Sequence, residues 1–117
     1  MAMTNDKVDS AYRALYNALC AAQLMQMDLR DGGDIAGAAD AEKRADQVND
    51  QIDTLLHKEL QEWRAQAEAL IPSLNQASQA AQSAVDQVET DVKNAQKVSD
   101  AMKALDQVIT AAVKFLA

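Results

Sequence analysis

Two pairs of carboxylates are the residues whose type and spacing most readily suggest chemistry. Glu59 and Glu62 stand three apart, and so do Asp86 and Glu89. Residues three apart share one face of a helix. Two such pairs on neighbouring antiparallel helices can hold magnesium in a bundle core. Other reactive groups are sparse: His57 is the only histidine and Cys20 the only cysteine. A zinc site or a general-base relay needs further partners in register with them. His57, one turn after Asp53, is expected on a solvated flank. Cys20 is expected to serve as a small buried hydrophobe rather than a nucleophile. Asp28, Asp31, Asp34 and Asp40 surround the stretch "DGGDIAG". They lack the alternating acids and closing bidentate glutamate of a calcium loop, and read as turn and cap residues.

In its spacing alone, the acid quartet resembles the acid pairs of all-α nucleotide pyrophosphohydrolases. That resemblance implies a magnesium-dependent hydrolase with Glu59, Glu62, Asp86 and Glu89 as ligands, the alternative to a non-enzymatic role. No ordered set of basic substrate-binding residues accompanies the acids. Trp63 in "EWRA" is similar to the tryptophan of the small W-x-G helical-hairpin proteins only in the tryptophan itself. Ala65 takes the place of the glycine, and the expected position is mid-helix. Trp63 is therefore expected to anchor the core. Neither a cofactor nor a resident metal is expected.

The elements that must position these residues are helices. About one residue in five is Ala, there are three Gly and one Pro, and only 3% of residues are aromatic. Ala and Gln favour helix, while strands want β-branched and aromatic residues. The 117 residues suffice for one domain spanning the chain. Eighteen acids against eleven bases leave a net charge of −7. Nucleic acid is not an expected partner, because phosphate binding needs a basic stripe. An anionic membrane is disfavoured on the same ground, which weakens a second alternative, a lipid-coating amphipathic protein. A protein partner with a basic surface suits the charge. The lone cysteine and the opening "MAMTNDK", which lacks a basic head and apolar core, fit a cytoplasmic protein without a leader.

Three long helices are expected, packed as an all-α antiparallel bundle. The first runs from about Thr4 or Asn5 to Arg30, with Thr4, Asn5 or Asp6 as its cap. "DGGDIAG" ends it. The second runs from about Ala38 to Ile71, and its apolar stripe holds Ala45, Val48, Ile52, Leu55, Leu56, Trp63, Ala67 and Leu70. Pro72 ends it, and Ser73 caps the third. Leu74, Ala81, Val88, Ala95, Met102, Ile109 and Leu116 then recur every seven residues, a coiled-coil-like seam. One unbroken third helix is the expectation. It would run about 65 Å, against about 40 and 50 Å for the others. A break near Lys97–Ser99, capped by Ser99 or Asp100, would give four helices instead.

Helix 1 has more apolar residues than one face can hold. Its main stripe is Val8, Ala11, Tyr12, Leu15, Leu19, Ala22 and Leu29, and a second row is Tyr16, Cys20, Leu24 and Met27. Either a second helix of the bundle covers that row or another chain does. Glu59 falls near the centre of the apolar face of helix 2, and Asp91 takes a seam slot between Val88 and Ala95. Buried acids there must be paired, with Arg13 or Lys93 as candidates, and would set register or partner choice. Phe115 and Leu116 close the chain and are candidates to enter a partner groove. The reading that follows is a non-enzymatic protein-interaction module of adaptor, secretion-accessory or toxin-immunity type, bacterial in character. It would bind a partner or a second copy of itself through amphipathic helix faces. Its candidate residues are Tyr16, Cys20, Leu24, Met27, Phe115 and Leu116, with Glu59 and Asp91 as specificity acids.

Overall fold

The computed structural model describes residues 4–117. The expectation about a leader falls partly on residues 1–3, outside the described residues. The fold is an all-α bundle of four helices: α1 (Asn5–Asp31), α2 (Ile35–His57), α3 (Ile71–Thr90) and α4 (Ala95–Leu116). Thr4 caps α1, its hydroxyl accepting from the Lys7 N–H at 3.3 Å. Gly33, at φ 89°, lets the chain reverse after α1. Asp34 then caps α2 by accepting from the Gly37 N–H at 2.8 Å, so α2 begins three residues before the expected Ala38.

Helix 2 is shorter than its apolar stripe implies. It stops at His57, and residues 58–70 form a connection with 3-10 turns at Leu60–Glu62 and Glu68–Leu70. Packing explains this. Each of α1 and α4 lies beside both α2 and α3, so α2 and α3 stand diagonally across the bundle. The connection must therefore cross the end of the core. Continued as a helix, it would carry Trp63 beyond the bundle into solvent. As built, Trp63 is 5% exposed and stacks on Phe115, while Ala67 is fully buried. Tertiary burial overrides local helix propensity here. Pro72 sits in the first turn of α3, where its missing N–H is harmless, and Ser73 lies inside that helix instead of capping it.

The third segment is two helices, not one. The break falls at Asp91–Asn94 rather than Lys97–Ser99. Asn94 is the cap, its side-chain oxygen accepting from the N–H groups of Gln96 and Lys97 at 3.1 Å. Ser99 and Asp100 lie within α4. The seven-residue row consequently does not form one seam. Leu74, Ala81 and Val88 are buried in α3, but Ala95 is exposed and Met102, Ile109 and Leu116 are only half-buried. The buried residues of α4 are Ala101, Leu105, Val108, Ala112 and Phe115. Reversing direction in the turn resets the phase, which no periodicity running through it could reveal.

Neighbours across the bundle are parallel in two cases. Ser78 Oγ donates to the Ala14 carbonyl at 2.6 Å and Asn75 to Ser10 at 3.4 Å, so α1 and α3 run together. On the other side α2 runs with α4. Arg44 makes a two-pronged pair with Asp106, Gln51 donates to the Ile109 carbonyl, and Lys58 donates to the Leu116 carbonyl. Arg44 and Gln51 of α2 and Lys58 just past its end recur every seven. Small residues let α1 come close to its neighbours: Ala11, Ala14, Ala18, Ala21 and Ala22 are all buried.

Candidate interaction face

Helix α1 packs most heavily on α2 and next on α3. Its buried residues are Ala11, Ala14, Leu15, Ala18, Ala21, Ala22, Met25 and Leu29. That leaves an outward face, and the second apolar row lies on it. Tyr16 is 49% and Met27 58% exposed; Cys20 is exposed and Leu24 half-buried. No element of the bundle covers Tyr16, Cys20 or Met27, while Leu24 packs partly against the core. The expectation that Cys20 is buried is corrected, because α2 and α3 embrace the opposite side of α1. Tyr16 and Cys20 adjoin: the neighbouring Cys20 side chain is the first cause that pushes the Tyr16 phenol above its ordinary 10.0. Cys20 and Leu24 also line a shallow groove of 220 Å³ against Gln82, Val85 and Asp86 of α3.

Charge is distributed unevenly around this face. Residues 14–27 of α1 and 71–85 of α3 include no charged side chain, in a chain that is 25% charged. These two stretches adjoin because α1 and α3 pack side by side. The α1 stretch ends between Arg13 and Asp28. Arg13 pairs with Asp9 at 3.1 Å on an exposed helix turn, not with a buried acid. Asp28 is half-buried, one of its carboxylate oxygens has no partner, and desolvation followed by Asp31 pushes its pKa above the usual value.

Several candidate residues fall elsewhere. Glu59 and Asp91 are exposed rather than buried. Glu59 lies just past the end of α2, where its N–H donates to the Glu62 carboxylate at 2.8 Å. Asp91 ends α3 in the turn before α4. Neither can act as a buried specificity acid. The magnesium quartet does not assemble. Glu59 and Glu62 sit in the connection preceding α3, whereas Asp86 and Glu89 sit near its far end, about 22 Å further along by helix rise. Among the described residues no three His, Cys, Asp or Glu side chains cluster as metal ligands.

Phe115 is fully buried, so it is not offered to a partner groove; Trp63 packs against it. Leu116 is half-buried, and its carbonyl accepts from Lys58 at 2.7 Å. His57 is exposed, its Nδ1 held 2.7 Å from the Asp53 carbonyl oxygen. Among the described residues no helix is long and apolar enough to cross a membrane. The uncharged flank of α3 escaped the sequence reading, although fifteen residues without a charge in so acidic a chain are a readable signal. Compared with models of protein families, with curated proteins and with solved structures, the chain matches none.

Proposed function

We propose that this chain is a non-enzymatic protein-interaction module that binds through the outer face of α1. The observation that carries this reading is the row of exposed Tyr16, Cys20 and Met27 with half-buried Leu24, on a helix whose opposite side is buried. Such residues suit an interface: tyrosine offers a large rigid contact, and methionine adapts its shape. Apart from Asp86 at the edge of the α3 groove, the face lacks charges that would have to be desolvated on docking. The acidity of the rest of the molecule favours partners whose surroundings are basic.

The test exploits the single cysteine. A photocrosslinker is placed on Cys20, and in a second sample on Gln107→Cys in a Cys20→Ser background. Both proteins are exposed to an extract of the source cells. Specific adducts are expected from position 20 only, and Leu24→Asp should abolish them while circular dichroism shows the variant still folded. Equal adducts from both positions, or adducts indifferent to Leu24→Asp, would remove this reading.

A further inference from the structure

The geometry points to a second copy of this chain as an occupant of the α1 face, packed antiparallel about a two-fold axis. This inference rests on the docking reading above and names its partner. The first support is charge. Each copy carries −7, so two copies repel in most orientations. The α1–α3 flank is where they can approach with the fewest like charges opposed, because residues 14–27 and 71–85 are uncharged and Asp86 is the one charge lining the groove beside Cys20 and Leu24. That strip is about 21 Å long and about two helix widths across, roughly half of the ~800 Å² that a standard interface takes from each partner, so it forms the centre of an interface whose rim lies beyond it.

The second support is self-complementarity. Arg13 and Asp31 are both exposed and lie at opposite ends of the row. They are eighteen residues apart, which is five full turns at 3.6 residues per turn, so both project from the same face. An antiparallel pair centred level with Ala22 sets Arg13 of each copy against Asp31 of the other. The same register sets Cys20 against Leu24 of the other copy, with Tyr16 and Met27 flanking them. A two-fold arrangement is isologous, so each contact occurs twice. A parallel pairing would oppose Arg13 to Arg13 and Asp31 to Asp31. The Arg13–Asp9 pair on the monomer is exposed, with side chains 77% and 57% accessible, and so holds Arg13 only weakly.

Sedimentation equilibrium of the full chain under reducing conditions tests the oligomer, and charge reversal tests the register. The native chain should dimerise reversibly. Arg13→Asp and Asp31→Arg should each raise the dimer dissociation constant about tenfold, because two rim pairs become two repulsions. Combining the two substitutions should restore it. Independently, Leu24→Cys in the presence of native Cys20 should give a covalent dimer on mild oxidation, whereas Gln107→Cys should not. Arg13, Asp31 and Gln107 are exposed and Leu24 is half-buried, and circular dichroism checks that each variant is folded. A chain that stays monomeric into the millimolar range overturns the inference, as does a dimer that the double reversal fails to restore. Monomer with position-20 adducts in extract would overturn only the second copy. Monomer without such adducts would remove the docking reading as well.

Discussion

The rings of Trp63 and Phe115 lie 4.7 Å apart between centroids and tilted by 40°, closing the end of the core where the chain crosses from α2 to α3. Lys58 adds to this closure, its ammonium 4.8 Å from the centre of the Trp63 ring and bonded to the Leu116 carbonyl. Arg64 reaches the Lys114 carbonyl at 2.9 Å. The connection thus supplies two cations to the negative end of α4.

Truncating either ring should be costly. Trp63→Ala and Phe115→Ala should each lower stability by about 3–5 kcal/mol, the usual range for aromatic truncation in a core. A double-mutant cycle should show coupling of about 0.5–1.5 kcal/mol. Urea unfolding followed by circular dichroism measures both.

The cap of α2 predicts a change of sign. A Cβ on Gly37 would come within 2.7 Å of the Asp34 carboxyl carbon, so Gly37→Ala must displace the cap. Asp34→Ala alone should cost about 1 kcal/mol. In that background the obstruction is gone, and Gly37→Ala should now stabilise by up to about 1 kcal/mol through helix propensity. The order of melting temperatures across the four proteins decides the matter.

Asp28 gives a pH signature. Desolvation, and secondly Asp31, raises its folded pKa above the ordinary 3.8. The folded chain thus binds this proton more tightly than the unfolded chain. The destabilisation is absent below pH 3.8 and fully present above the raised value, so this group lowers stability as pH rises through that window. Asp28→Asn should be more stable than the native chain at neutral pH, and the two stability curves should converge in acid. Chemical unfolding across the pH range checks the direction.

Close approach of α1 and α3 should make the Ala positions intolerant. Ala18 is fully buried in α1, one turn beyond the Ala14 carbonyl that Ser78 bonds. Ala18→Leu should destabilise by at least about 1–3 kcal/mol through overpacking. Ser78→Ala should lose only about 1 kcal/mol, since the Ala14 carbonyl keeps its bond within α1 and no volume is added. The ratio of the two effects can be read from denaturant midpoints.

Helical class and the first turn were legible because they depend on local rules. Composition settles helix over strand, and Thr4, Gly33 and Asp34 act within a few residues of themselves. The second apolar row of α1 was legible as a row, but which side the neighbours take is a tertiary fact. Met25 shows the limit: it is fully buried beside the exposed Met27, and neither residue type nor hydropathy separates them. The stop at His57 was hidden because no glycine or proline marks it; burial of Trp63 forces it. The false seam from Leu74 to Leu116 arose because the seven-residue spacing runs on through the turn in the sequence, while the buried row of α4 falls one residue earlier, at Ala101, Val108 and Phe115. Glu59 and Asp91 were misplaced for the same two reasons.

Met25 and Met27 also supply the most direct measurement. Peroxide oxidation followed by peptide mass spectrometry reports whether a methionine is covered, and the fully buried Met25 serves as the internal standard. In dilute pure protein Met27 should oxidise readily while Met25 resists. At high protein concentration, and in extract of the source cells, Met27 should become protected as the outer face of α1 is occupied. Met27 oxidising at one unchanged rate in all three conditions would contradict the assignment of that face to docking.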